Sequence, residues 1–202
     1  MVHAMKEIQI RKNDAGQRLD RFVGKAVPLL PESLLQKYIR LKRIKRNGKG
    51  AKRDVRLVEG DVLQLYINDE FFERPTEQNA WLKITTPRLD IVYEDENILL
   101  ADKKPGVLCH SAGEWSWDTL ISNIQAYLRQ SGEWDPKAEN AFTPALCNRI
   151  DRNTGGIVIA AKNAEALRIL NDKIRGREIE KAYLCVVCGR PKPAEGRLEG
   201  YL

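Results

Sequence analysis

The chain has 202 residues, 43% of them hydrophobic, with 34 Lys and Arg against 28 Asp and Glu for a net charge of +6. That is enough to bury a core in one or two domains. No apolar run approaches the roughly 20 residues of a spanning helix, and the opening MVHAMKEIQI lacks the apolar centre of a signal peptide, so a cytoplasmic protein with no membrane partner is expected. The charge is unevenly spread: Met1 to Leu65 holds 16 Lys and Arg and 7 Asp and Glu, a net +9, and the remainder holds 18 and 21, a net −3. Such asymmetry points to a polyanion-binding module joined to a part with another task, since a merely solvated face accounts for a few lysines more easily than for this cluster.

In chain order, Asp14 is a candidate N-cap for a helix to Val27, with Leu19, Phe22, Val23 and Ala26 at helical spacing and Arg18, Arg21 and Lys25 on the opposite stripe. Beyond Pro28 and Pro31, a second helix from Glu32 to about Leu41 buries Leu34, Leu35, Tyr38 and Leu41 and presents Lys37 and Arg40. In RIKRNGKGAKRDVRLVEGDVLQLYI, Asn47-Gly48 signals a hairpin, Glu59-Gly60-Asp61 marks a second turn, and the runs between alternate as strands. Lys42, Arg43, Lys45, Arg46, Lys49, Lys52 and Arg53 crowd the first turn, a pattern suited to phosphate contact on structured RNA. Candidate RNA contacts in this module are Arg18, Arg21, Lys37, Arg40, Arg43, Lys45 and Arg46. Residues 71–88, within DEFFERPTEQNAWLKITTPR, break the periodicity and read as a linker, with Phe71, Phe72 and Trp81 packed against one domain.

From Leu89, LDIVYEDENILLADKKPGVLCHS gives a strand, an acidic turn, a second strand and a Lys-Pro-Gly break. Asp118 or Thr119 caps a helix bearing Leu120, Ile124, Tyr127 and Leu128 on one face. A further helix from about Ala164 to Arg175 and a strand from Ile179 to Cys188 follow. Strands and helices mix without regular alternation, which favours α+β over a doubly wound sheet.

The stretch Leu146 to Lys162, LCNRIDRNTGGIVIAAK, sets two apolar runs around a turn in which Asp151 lies between Arg149 and Arg152. A charged carboxylate held on a turn can serve as a nucleophile or base; the same composition also suits an ordinary Asp/Asn-Gly turn. Of the four cysteines, Cys185 and Cys188 form a CxxC inside a strand-like run whose alternate residues face opposite ways, and no second pair completes a zinc site. The expectation is no metal, and reduced, packed thiols.

The RLDRF opening and the "NGK … GD" ending of the basic module resemble the alpha-L RNA-binding domain of a small-subunit ribosomal protein and several RNA-modifying enzymes, with Lys42 where that pattern has glycine. In the second half YEDENILLADKKPGVLCHS, NRIDRNTGGIVIAAK and EKAYLCVVCGRP, in that order, resemble the three signature segments of RluA-type pseudouridine synthases, which modify uridines in ribosomal or transfer RNA. The resemblance implies an alpha-L domain at 1–70, a linker at 71–88 and a mixed, mainly antiparallel catalytic domain from 89 to 202. It implies cofactor-free isomerisation of uridine, with ribosomal RNA the first candidate partner and transfer RNA the second, by a monomer.

On that resemblance Asp151 matches the essential aspartate, which attacks the substrate covalently or stabilises the ribose carbon after the uridine leaves its stack. Arg149 matches the arginine that holds the RNA with its base extruded, and Tyr183 the tyrosine that packs on the uracil. Lys181 matches a basic helper, while Lys104 and His110 have structural roles. Asn148 and Gly155 replace the usual His and Ser of the central segment. The family continues beyond the third segment to an arginine that pairs with the aspartate, so the chain is expected to be truncated. If it ends at Leu202, the alternative is a non-catalytic RNA-binding or ribosome-associated factor.

Overall fold

The computed structural model describes residues 5–72, 80–111 and 118–197. Among them, four helices and two four-stranded antiparallel sheets form an α+β arrangement. The first sheet uses β1 (Lys6–Gln9), β2 (Ile44–Arg46), β3 (Lys49–Gly50) and β4 (Val62–Leu65) in the order β1-β4-β2-β3. Two amphipathic helices, α1 (Leu19–Ala26) and α2 (Glu32–Arg40), cover it. Leu19, Phe22 and Val23 from α1, Leu35, Tyr38 and Ile39 from α2, and Ile44, Leu63 and Leu65 from alternate strand positions make one core.

The β2–β3 hairpin forms at Asn47-Gly48, whose φ values of 50° and 78° are the paired left-handed conformations a tight hairpin needs. Asp61, buried in the next turn, locks it. Its carboxylate accepts hydrogen bonds from Val58 N and Asn47 Nδ2, both at 2.8 Å, and pairs with Arg46 Nε at 2.6 Å. Burial pushes the Asp61 carboxyl up, but the Val58 amide, Arg46 and Asn47 together hold it below the ordinary aspartate value.

Two local expectations in this half are corrected. The first helix begins at Leu19, because Asp14 is buried in the preceding turn, where Oδ2 accepts from Arg11 N at 3.0 Å and Asn140 Nδ2 at 2.7 Å. Gly16 N bonds Leu57 O at 2.8 Å, so tertiary hydrogen bonds hold residues 11–18 out of the helix. Leu41 is 56% exposed, because α2 stops at Arg40 and Lys42 turns the chain at φ 56°, and Ile39 fills the core instead. Strand β1, with only Ile8 half-buried, carries almost no apolar alternation and is stabilised by pairing with β4.

The second sheet uses β5 (Ile91–Glu94), β6 (Ile98–Lys103), β7 (Ala145–Leu146) and β8 (Gly156–Ala161) in the order β5-β6-β8-β7. Helix α3 (Leu120–Gln130) is capped by Thr119 and α4 (Ala164–Arg175) by Asn163, whose side chain accepts from Ala166 N at 2.9 Å. Leu99, Ala101, Val158 and Ala160 pack on Leu120, Ile124, Leu128 and Trp134. The three aromatics expected on one domain are divided: Phe71 and Phe72 join the first core, and Trp81 joins the second, edge-on to Trp134 at 5.4 Å.

The expected strand from Ile179 to Cys188 does not form. Residues 181–188 carry no ladder, and Leu184, Val186 and Val187 are exposed. A strand needs a neighbour for its peptide groups, and among the described residues none pairs with this one. Cys185 and Cys188 are accordingly exposed rather than packed.

The two halves dock through residues 9–15. Asn140 Nδ2 donates to Gln9 O at 2.8 Å, Asn13 Nδ2 to Glu139 Oε1 at 2.8 Å, and Arg168 Nη1 of α4 to Ala15 O at 2.5 Å. Asn13 Oδ1 also accepts from Ala164 N, at the start of α4, at 3.2 Å. No helix among the described residues is long and apolar enough to cross a membrane.

Candidate active site

Strand parity builds the site. In β6, Leu99, Ala101 and Lys103 all face inward, so the alternation that makes the core also buries a lysine, 1% exposed, at the end of the strand. Lys103 Nζ donates to three carbonyls: Val107 at 2.9 Å, Arg152 at 3.0 Å and Lys104 at 3.3 Å. Among the described residues it has no carboxylate partner. A buried ammonium is tolerated only when its donors are satisfied, and here they tie the 104–107 turn to the loop between β7 and β8.

Asp151 lies in that loop, and both its neighbours are fixed. The Ile150 carbonyl accepts from Cys109 Sγ at 3.4 Å, and the Ile150 side chain packs on the second core. The Arg152 carbonyl takes, besides Lys103, the Gly106 amide at 2.8 Å, and Arg152 Nε donates to Gly106 O at 3.1 Å. The Asp151 side chain itself is exposed and has no hydrogen bond or ion pair among the described residues. The backbone is thus held from both sides while the carboxylate faces solvent.

Gly155 accounts for one departure from the family pattern. A Cβ there would lie 3.2 Å from Pro105 Cδ and 3.4 Å from Lys103 O, so the close approach of the 104–107 turn leaves no room for a serine side chain unless the proline shifts. Asn148, at the other replaced position, accepts from Ile159 N at 2.8 Å and steadies the β7–β8 pairing.

A cleft of about 740 Å³ opens beside the loop. Asn148, Ile150, Asn153 and Ile157 line one wall, Ile174 of α4 contributes, and Lys181 and Tyr183 face them from the segment that was expected to be a strand. The structure therefore brings Lys181 and Tyr183, the latter 62% exposed, against the loop that carries Asp151, while Asp151 and Arg149 themselves do not line the cleft. Arg149 is exposed and close enough to His110 to matter: burial, then the Arg149 charge, holds the His110 pKa below its ordinary value. Lys104 is a surface residue, paired with Asp90 and Asp102, both at 2.8 Å, which raise its pKa. Lys103, not singled out in the sequence, is the buried anchor, and the inward parity of ILLADK was the signal that pointed to it.

The basic residues of the first module do not gather on one face. Arg18 and Arg21 line a cleft against α4, whereas Arg40 lines a groove of about 620 Å³ with Lys42, Lys52 and Arg53. Lys37 is exposed on α2. Arg43 sits 4.7 Å from the Tyr38 ring centroid and Lys45 5.1 Å from that of Tyr66. Arg46 is committed to Asp61.

Cys147, half-buried behind the loop, has its thiol pushed up to about 11 by burial, and Cys109 is buried. Among the described residues no three His, Cys, Asp or Glu side chains are grouped to hold a metal.

Comparison with known proteins decides the family. The model for RNA pseudouridylate synthases matches residues 97–202, from β6 through the Asp151 loop to the Tyr183 segment. The chain belongs to this family. Curated relatives of this RNA pseudouridylate synthase family member include an uncharacterized RNA pseudouridine synthase of Mycoplasma genitalium, 31% identical over 90% of this chain and 55% of its own length. Another, from Mycoplasma capricolum, is 33% identical over 89% and 58%. A ribosomal large subunit pseudouridine synthase C of Rickettsia bellii is 31% identical over 90% and 59%. The chain thus spans a little over half the length of these relatives. Among solved structures, human RNA pseudouridylate synthase domain containing 4 covers 50% of this chain and 34% of its own, at 20% identity and a TM-score of 0.35, too low to carry an argument.

Proposed function

We propose that the protein isomerises uridine to pseudouridine in structured RNA, with Asp151 as the reacting carboxylate. The observation that carries this reading is the family match over residues 97–202 centred on an exposed aspartate whose two neighbours are both pinned. In the reaction the bond from the ribose carbon to uracil N1 breaks, the base turns, and a bond from the same ribose carbon to C5 forms. The C5 proton leaves and N1 takes one up, so no redox partner is required. Asp151 attacks the substrate covalently or stabilises the ribose carbon while the base is free. Tyr183 packs on the extruded uracil, and Lys181 supplies positive charge at the cleft. Arg149 holds the RNA beside the vacated stack.

The first module, residues 1–70, acts as an alpha-L-type RNA-binding domain joined through 71–88 to the catalytic part, with the phosphate backbone its ligand. Ribosomal RNA is the first candidate substrate, supported by the name of the Rickettsia bellii relative; transfer RNA is the second. The protein works as a cytoplasmic monomer. The test is pseudouridine formation in RNA incubated with wild-type protein, Asp151→Ala and Asp151→Asn. Product is expected only with the wild type, and equal conversion by either variant sinks the assignment of Asp151.

A further inference from the structure

A second cleft, also of about 740 Å³, lies between α1 and α4, apart from the one at Asp151. Arg18, Arg21 and Lys25 line it from the first module together with Arg56, and Arg168 and Arg175 line it from α4. Against these six cations stands one lining carboxylate, Asp172, which pairs with Arg175 at 3.1 Å. Arg18 pairs with Asp20 at 2.5 Å. Arg21, Lys25, Arg56 and Arg168 have no carboxylate partner among the described residues. Arg56 and Arg168 instead donate to the carbonyls of Gly16 at 2.8 Å and Ala15 at 2.5 Å, contacts that aim them but leave their charge uncompensated. Burial first, and then the Arg21 charge, hold Lys25 below the ordinary lysine pKa, with Asp14 acting in the opposite direction.

Two features tie this cleft to the reaction. Its floor includes Ala145 of β7, the strand that runs directly into the Asp151 loop. Helix α4 is a wall of both clefts, giving Ile174 to the one lined by Ile150 and Asn153 of the Asp151 loop and Arg168 and Arg175 to the basic one. A polyanion seated between the two halves is thereby placed next to the reacting cleft.

We infer that this interdomain cleft grips the phosphate backbone of the substrate RNA beside the target uridine, with Arg56, Arg168 and Arg175 acting together with the Arg18, Arg21 and Lys25 stripe. The inference rests on the reading of the protein as an RNA pseudouridine synthase, but adds residues outside the hairpin and outside the family's signature segments. An acidic protein segment is the competing occupant; the continuity of the cleft with the Asp151 loop favours RNA.

The test is equilibrium binding of a fluorescent RNA stem-loop to the full chain across a salt series. Wild type is compared with Arg21→Ala, Arg175→Ala, the double variant and Lys137→Ala, whose exposed lysine lies outside both clefts. Among the described residues neither the Arg21 nor the Arg175 side chain bonds the backbone, so the fold is expected to survive, which thermal melting checks. Each cleft variant should weaken binding severalfold and lower the slope of log K against log salt by about 0.7–0.9 per lost contact, with Lys137→Ala unchanged. KM for the RNA should rise with each cleft variant. Unchanged affinity and slope in the double variant would overturn the inference, as would polyglutamate binding as tightly as the RNA. If the cleft variants lose RNA while the wild type converts none, the catalytic reading fails and the cleft stands.

Discussion

Replacing Lys103 by methionine probes the anchor under the Asp151 loop. Methionine keeps the volume and apolar stem but removes the ammonium that bonds Val107 O at 2.9 Å, Arg152 O at 3.0 Å and, more weakly, Lys104 O at 3.3 Å. Hydrogen bonds from a charged donor contribute about 1.5–3 kcal/mol each. Two good ones are lost, against a few kcal/mol of ammonium desolvation that the variant no longer incurs. The Arg152 carbonyl keeps the Gly106 amide and so is not orphaned. The net loss is at most about 3 kcal/mol, a melting temperature lower by up to roughly 10 °C for a chain of this size. The larger effect falls on turnover, because a displacement of about 1 Å in a reacting group costs on the order of a hundredfold. Calorimetry, pseudouridine formation with kcat and KM separated, and amide exchange at Gly106 and Thr154 would measure it. The expected pattern is a lower Tm, faster exchange at both amides, and a fall in kcat with KM for RNA nearly unchanged. A variant that melts with the wild type and keeps its kcat would refute the anchoring role.

Other outcomes follow from the same geometry. Gly155→Ala forces Pro105 away from a Cβ only 3.2 Å distant and should cost about 1–2 kcal/mol, read by denaturant unfolding, with turnover reduced. Asp61→Asn leaves Arg46 half-paired and should destabilise the protein by about 3 kcal/mol at neutral pH. Because the folded-state pKa of Asp61 lies below its unfolded value of 3.8, its stabilisation is fully present above that value. The gap between wild type and variant should therefore narrow as pH falls through the acid range, and a pH-independent gap would contradict the assigned pairing. Thiol alkylation at mildly basic pH should modify Cys185 and Cys188 rapidly and Cys147 slowly, since burial pushes the Cys147 thiol up to about 11. For Cys147 the unfolded chain releases its proton near 9.0 and the folded one does not, so its contribution to stability declines between those values as pH rises.

Where periodicity and turn chemistry act locally, the sequence was readable. Helix α4 has the predicted Ala164–Arg175 bounds, and the Asn47-Gly48 hairpin forms with both residues left-handed. Where tertiary contacts override local preference, it was not. Asp14 has the composition of a helix cap but is recruited by Asn140, more than a hundred residues away. The run from Ile179 to Cys188 has strand propensity but no neighbour to pair with among the described residues, and propensity alone makes no ladder. At the candidate site, family likeness pointed to Asp151, Lys181 and Tyr183, but the pinning of the loop by Lys103 needed the register of β6 against β8, in which Lys103 faces Gly156.

Helix α4 couples the halves mechanically. Its N-terminal half is tethered to the first module through Asn13 and Ala15, and its last turn supplies Ile174 to the cleft beside the Asp151 loop. A rod tethered to the first module at one end and lining that cleft at the other links the two directly. Deleting that module is therefore not a clean subtraction of RNA affinity. It also releases the start of the helix, so on the proposed reading turnover should change even with a substrate small enough to need no grip.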